Sequence, residues 1–146
     1  MTTKWPDSSK DFLSLIGIRI PIIQAPMAGG PSSPELVSAV SQSGGLGSIG
    51  GGYLPPGTLE GQIKDVKSKT EKPFGVNLFI TDPGVKDKEP SIQIKKMLDK
   101  YAGELGVELT GNVVPFPNFD KQFEVVVENK VKVFSFTFGV PEKKIY

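Results

Sequence analysis

Apolar residues in this chain come in two alternating kinds of run. Short continuous runs open at Ile22, Leu46, Phe74 and Val131, and the longer stretches between them carry apolar residues at helical spacing. Continuous apolar runs without polar alternation suit parallel strands covered on both faces. Residues 18–20 read as a small strand leading into the first run at 21–23; the others are 46–50, 74–80 and 131–137. Helical spacing covers 9–16, ended by Gly17, and then Leu36, Val37 and Val40, ended by Gly44-Gly45. It returns at Leu59, Ile63 and Val66, at Met97, Leu98, Tyr101 and Leu105, and at Phe119, Phe123, Val126 and Val127. The order is strand, loop, helix, repeated, with the last interval stretched by an inserted helix. That is the rhythm of βα units and a parallel sheet.

The chain changes character abruptly at Gln24, where the first strand run gives way to Ala25, Pro26, Met27 and the pair Gly29-Gly30. Small and flexible residues at a strand end let the backbone approach a flat ligand closely. Ser32 and Glu35 then stand at capping-box spacing, with Pro34 in the first helical turn. A second glycine segment, Gly44 to Gly52, contains Gly45-Leu46-Gly47-Ser48-Ile49-Gly50, which has the spacing of a dinucleotide fingerprint. That fingerprint must follow a strand and open a helix, whereas these glycines follow a helix and contain the strand. Gly44-Gly45 are expected to stop the helix, and Gly50 to Gly52 to keep a strand end clear of side chains so that something can lie on it.

Composition narrows the chemistry. With 17 Lys and Arg against 16 acids in 146 residues the net charge is +1, which gives no electrostatic footprint for nucleic acid or an anionic membrane. No cysteine is present, so disulfides, thiolate ligands and a cysteine nucleophile are excluded. No histidine is present either, which removes the commonest general base and metal ligand. No apolar run approaches the ~18 residues of a membrane span, and the polar first residues do not resemble a signal peptide, so the cytoplasm is the expected location. Residues 1–8 read as a polar tail and 9–146 as one domain. The Lys64, Lys67, Lys69 and Lys72 cluster reads as a solvated helix face.

Four separated motifs carry a family resemblance. Gln24-Ala25-Pro26-Met27-Ala28-Gly29-Gly30, Gly44-Gly45-Leu46-Gly47 with Gly51-Gly52-Tyr53, Pro73-Phe74-Gly75-Val76-Asn77-Leu78-Phe79, and Ser135-Phe136-Thr137-Phe138-Gly139 together resemble nitronate monooxygenase, formerly 2-nitropropane dioxygenase. The resemblance runs from about Ile18 to the last residue. The FMN-dependent enoyl-acyl-carrier-protein reductase is a near relative that shares the glycine segment and the Asn77 strand. Ala25 to Gly30, Tyr53 and residues 77–79 favour the monooxygenase side.

The resemblance implies an α/β chain forming a partial TIM (β/α) barrel, the first four βα units with an amino-terminal helix and an inserted helix. FMN sits at the carboxyl ends of such strands. Carried over by motif, Ala25, Pro26 and Met27 border the flavin ring, Asn77 hydrogen-bonds it, Gly51 and Gly52 line the same mouth, and Thr137 joins them by its strand-end position. A methionine alone could equally fill a core gap, and an asparagine in a strand could bond neighbouring backbone. Gly44, Gly45 and Gly47 could serve turns only, and Tyr53 and Phe79 could pack instead of touching substrate. In the family the flavin withdraws an electron from a bound alkyl nitronate, and oxygen completes its breakdown to a carbonyl compound and nitrite.

A full barrel needs eight βα units in ~250 residues, and the family's catalytic histidine and FMN phosphate loops lie in the part this sequence does not match. The chain is therefore expected to be the amino-terminal half of such an enzyme, with weak flavin binding and little activity by itself. The competing expectation is a non-catalytic fragment or interaction module. Unpaired parallel edges invite either a second half or self-association.

Overall fold

The computed structural model describes residues 7–80, 91–109 and 116–141, with side chains from Lys10 onward. The first six residues of the expected tail, the charged loop at 81–90 and residues 110–115 lie outside the described residues. Two compact units are present, one formed by Met1–Thr81 with Phe116–Tyr146 and the other by Asp82–Pro115. In chain order the elements are α1 (Asp7–Ile16), α2 (Pro34–Ser43), β1 (Gly47–Gly50), α3 (Pro56–Lys69), β2 (Phe74–Phe79), α4 (Ile92–Leu105), α5 (Phe119–Glu128) and β3 (Val133–Thr137).

The first unit is an α/β structure built on a parallel sheet of order β1-β2-β3. Its register sets Ile49 beside Val76 and Phe134, and Gly50 beside Asn77 and Ser135. Strand alternation therefore separates two faces. Ile49, Val76 and Leu78 face the helices and pack with Val37, Leu59, Ile63, Val66 and Val126 in the main core. The opposite face carries Ser48, Gly75, Asn77, Ser135 and Thr137. At its amino-terminal end Leu46 joins Leu13 and Ile18 in a second cluster that Val133 packs against. Unlike β2, β3 is exposed through Ser135, Phe136 and Thr137.

Two strand expectations are corrected. Residues 18–20 form no strand, because their backbone N–H groups turn to the helix ends: Ile18 donates to Leu13, and Arg19 and Ile20 both donate to the Gly44 carbonyl. The run at 21–23 contracts to one parallel bridge, Ile23 with Leu46. Pro21 supplies no N–H, and after Gln24 the chain turns away into its loop. The sheet therefore has three strands and a bridging edge.

Helix ends follow local chemistry. α2 is capped by Ser33, whose hydroxyl accepts from the Leu36 N–H at 3.4 Å, with Pro34 following it. This corrects the expected Ser32–Glu35 box by one residue; Ser32 is buried and used elsewhere. At the other end Gly44 takes a left-handed conformation, φ 101°, and closes the helix as expected. α3 contains Gly61, where an added Cβ would meet nothing within 4 Å. Gly61→Ala is therefore expected to raise stability by about 0.5–1 kcal/mol in urea unfolding, the usual gain from replacing glycine inside an exposed helix.

The Glu35 carboxyl is held below the ordinary carboxylate value, chiefly by a hydrogen bond from its own backbone N–H at the helix start, then by the Ser33 hydroxyl, with Lys69 adding to both. A lowered folded value contributes stability that is present above the unfolded pKa and lost as pH falls through the folded one. Glu35→Gln is expected to lower the urea midpoint slightly at neutral pH, the gap closing once acid protonates the wild-type carboxylate. Lys64 pairs with Glu60 at 2.6 Å and Lys69 with Glu35 at 3.6 Å, as a solvated basic face would.

In the second unit α4 is capped by the Ser91 hydroxyl and closed by Gly106 at φ 65°. Its apolar face is Ile94, Met97, Leu98 and Tyr101, and Lys100 pairs with Glu104 at 3.8 Å one turn on.

Candidate active site

The carboxyl ends of the parallel strands meet at one rim, and polar side chains hold it together. Gln24 carries the sheet one step past its bridge. Its backbone N–H donates to Leu46, and its side-chain amide then behaves like one more peptide, accepting from the Ser48 N–H at 2.9 Å and donating to the Ser48 carbonyl at 3.2 Å. The same amide nitrogen reaches the Ser32 hydroxyl at 2.9 Å and the Ala25 carbonyl. Ser32 also accepts from the Met27 N–H at 2.8 Å. One buried hydroxyl thus folds the Ala25–Pro26–Met27 loop back over the strand end.

That loop lies on β1. A Cβ at Gly50 would collide with the backbone of Met27 and Ala28, at 2.5 Å. Gly50 is the register partner of Asn77, which is 5% exposed. The Asn77 side chain donates to Ser135 at 2.9 Å and accepts from the Thr137 hydroxyl at 3.3 Å, while its backbone carbonyl accepts from Gly51 at 2.9 Å. Met27, Gly51, Asn77 and Thr137 therefore belong to one rim.

Gly51 and Gly52 are both buried. A Cβ at Gly51 would press on Leu78 and Leu59, and one at Gly52 would enter the Phe79 ring. What lies on Gly50 and Gly52 is this chain's own loop and aromatic ring, so internal packing already requires glycine there.

Gln122, which the pattern of the sequence did not single out, fixes the Gly51 loop from behind. It is 1% exposed, and its amide donates to the carbonyls of Gly51 at 2.8 Å and Leu54 at 2.7 Å. Its signal was present: Gln122 sits three residues after Phe119 and four before Val126, on the apolar stripe of α5. Tyr53 and Phe79 pack edge to face at 5.2 Å, and Phe116 and Phe138 join the same ring cluster.

A cavity of about 640 Å³ lies at the other end of the strands, lined by Gly17, Lys67, Lys72, Lys130 and Lys132. It is distant from the rim and shares none of its residues.

Parallel strands, helices packed on one face and a polar rim at the carboxyl ends define an α/β protein assembled from βα units. The family model for nitronate monooxygenase matches residues 10–146, and the chain belongs to that family. It is 39% identical over 133 residues to a probable nitronate monooxygenase of Bacillus subtilis, covering 90% of this chain and 38% of that protein. A probable nitronate monooxygenase of Staphylococcus haemolyticus is 39% identical over 131 residues, covering 89% and 36%. Among solved structures, a nitroalkane oxidase from Streptomyces ansochromogenes aligns with a TM-score of 0.76 at 33% identity, over 92% of this chain and 38% of that one. FabK (M276A) from Thermotoga maritima aligns at 0.64 and 30%, over 92% and 34%. The chain thus spans little more than a third of these relatives.

Proposed function

We propose that the chain forms the first βα units, residues 9–146, of an FMN-dependent nitronate monooxygenase built on a TIM barrel. The substrates are alkyl nitronates and oxygen, the products a carbonyl compound and nitrite. The observation that carries this reading is the meeting of the Met27 loop, Gly50, Asn77 and Thr137 at one strand-end rim. The rim fits a flavin ring: Ala25, Pro26, Met27, Asn77 and Thr137 are uncharged, and Gly29 and Gly30 stand in open space. FMN, when bound, supplies the electron-accepting chemistry.

The chain's own residues hold and orient it. Ala25, Pro26 and Met27 border the ring, with Met27 39% exposed. Asn77 gives one amide N–H to Ser135; an amide carries a second donor, the group we assign to the ring edge. Thr137 fixes the Asn77 oxygen and hence which way the amide faces. The Gly51–Gly52 segment closes the mouth, held by Gln122. A cytoplasmic location belongs to the same proposal; among the described residues no helix is long and apolar enough to cross a membrane.

The edges at Ile22–Ile23 and at β3 are the proposed joints to further βα units, in the same polypeptide or another. Both isoleucines and Phe136 are exposed there. Purified with FMN, the protein is expected to bind flavin weakly and release nitrite slowly from propyl-2-nitronate. Both should rise when a polypeptide carrying the remaining units is added, and both should fall at least tenfold in Asn77→Leu. A colourless protein without nitrite release in either condition removes the catalytic reading and favours the interaction module. The likeness to FabK supports the alternative enzyme, the enoyl-acyl-carrier-protein reductase relative; enoyl-thioester reduction in place of nitrite release would select it.

A further inference from the structure

We infer that the ring cluster of Tyr53, Phe79, Phe116 and Phe138 is the wall that binds the hydrocarbon part of the substrate, selecting nitronates with extended alkyl or aryl groups over the smallest ones. The inference rests on the nitronate reading above and adds a substrate class to it. Four separate segments bring these rings together: the loop after β1, the end of β2, the approach to α5 and the exit of β3. Phe79 meets Tyr53 at 5.2 Å, Phe138 at 4.9 Å and Phe116 at 6.4 Å, while Tyr53 and Phe116 stack at 5.7 Å.

The cluster is continuous with the rim. Phe79 lies two residues beyond Asn77 on the same strand face and is the register partner of Thr137. Among the described residues no charged side chain takes part in these ring contacts, and Tyr53, Phe116 and Phe138 are each more than half exposed. An exposed apolar patch marks a ligand or partner surface, and continuity with the rim through Phe79 and Thr137 assigns this one to the ligand.

Phe138 adds an independent observation. Its φ is 73°, a left-handed conformation that a bulky residue rarely adopts. Strand alternation would carry position 138 toward the Phe134–Phe136 pair; its ring instead lies on Phe79. Such left-handed residues persist where the surrounding packing holds them, and they cluster at ligand clamps and active sites.

The test uses the flavin-free 146-residue protein and the sodium salts of two nitronates, derived from nitroethane and 1-nitrohexane. Ring resonances are followed by NMR during titration. The hexyl compound is expected to shift the Tyr53 and phenylalanine signals and to bind at least tenfold more tightly, since each buried methylene gives about fourfold. Tyr53→Ala and Phe138→Gly should each weaken hexyl binding at least threefold and ethyl binding by less, so that the preference for the hexyl compound falls. Phe138→Gly should hold or raise the thermal midpoint, because glycine relieves the backbone strain. Equal affinity for the two nitronates, or hexyl affinity retained in both variants, overturns the inference. Because no flavin is present, failure here is separate from failure of the flavin reading, which would appear as absent FMN binding at the rim.

Discussion

Replacing Gln122 with leucine lowers stability by about 3 kcal/mol. The side chain is almost fully buried, and both of its described bonds run to backbone carbonyls of the loop after β1, those of Gly51 and Leu54. Leucine conserves volume, so little of the loss comes from a cavity. The loss comes from carbonyls left inside the protein without a donor, at about 1–3 kcal/mol each. Gly51 is the less affected of the two, because its oxygen still accepts from the Leu54 N–H at 2.9 Å. Against a typical domain stability of 5–15 kcal/mol, about 3 is a large fraction. Urea unfolding checks it: the midpoint falls and the slope stays constant. Gln122→Glu sharpens the test. An ionised carboxylate offers only acceptors to two carbonyls and should be at least as damaging at neutral pH, with part of the loss recovered on acidification as the protonated acid regains one donor. A loss below about 1 kcal/mol in both variants would show that the loop does not depend on this amide.

Gly47→Ala is expected to cost roughly 3 kcal/mol or more, or to prevent folding. The added methyl would fall within the backbone of α2 at Val37, including its carbonyl oxygen. Neither partner can change rotamer, because both are main chain. The collision must therefore be relieved by lifting α2 from β1, which also parts the buried Ser41 hydroxyl from the Gly47 N–H it accepts at 3.1 Å. Overpacking in a well-filled core ordinarily costs about 1–3 kcal/mol, and a clash between two backbones belongs at or above the top of that range. Gly75→Ala provides the comparison within the same sheet. Its methyl would come to 3.0 Å from the Ser48 hydroxyl and no closer to backbone than 3.5 Å, so a small side-chain shift absorbs it. The ranking should appear in thermal midpoints, with Gly75→Ala near wild type and Gly47→Ala far below.

These two residues also show what could be read from the sequence. Apolar runs at 46–50, 74–80 and 131–137 mark the three strands within two residues at each end, but the two-sided cover such runs suggest is not what forms: helices pack on one face, and the other carries Ser48, Gly75, Asn77, Ser135 and Thr137. Helical spacing marks the five helices among the described residues, because each carries apolar positions every three to four residues. The first strand falls short of its pattern: the apolar residues at 22 and 23 fit a strand, but a ladder needs backbone partners, and Gln24 completes it with a side chain. The cap moved from Ser32 to Ser33 because two adjacent serines satisfy the same local rule. Which of them is drawn to the Met27 N–H depends on tertiary placement. Asn77 was legible as a lone amide in an apolar strand. Gln122 was not, since glutamine in a helix ordinarily faces water, and only its place on the apolar stripe marked it. The strain at Phe138 left no trace in the sequence, because nothing in residues 135–139 specifies a left-handed backbone at a phenylalanine.

The glycines required a second kind of information. Their density suggested bare main chain awaiting a ligand, yet Gly47, Gly50 and Gly52 are each pressed by another part of this chain. Close packing alone demands glycine there. The assignment of the flavin mouth therefore leans on Met27, Asn77 and Thr137 more than on glycine content.

Mapping FMN onto the isotope-labelled protein by amide NMR tests that mouth most directly. Amide shifts on titration should concentrate at residues 25, 27, 50–52, 77 and 137 and weaken in Asn77→Leu. Shifts gathered instead around Gly17, Lys67, Lys130 and Lys132, where the lysine-lined cavity at the other end of the sheet would draw the phosphate, would contradict a flavin rim at the strand ends.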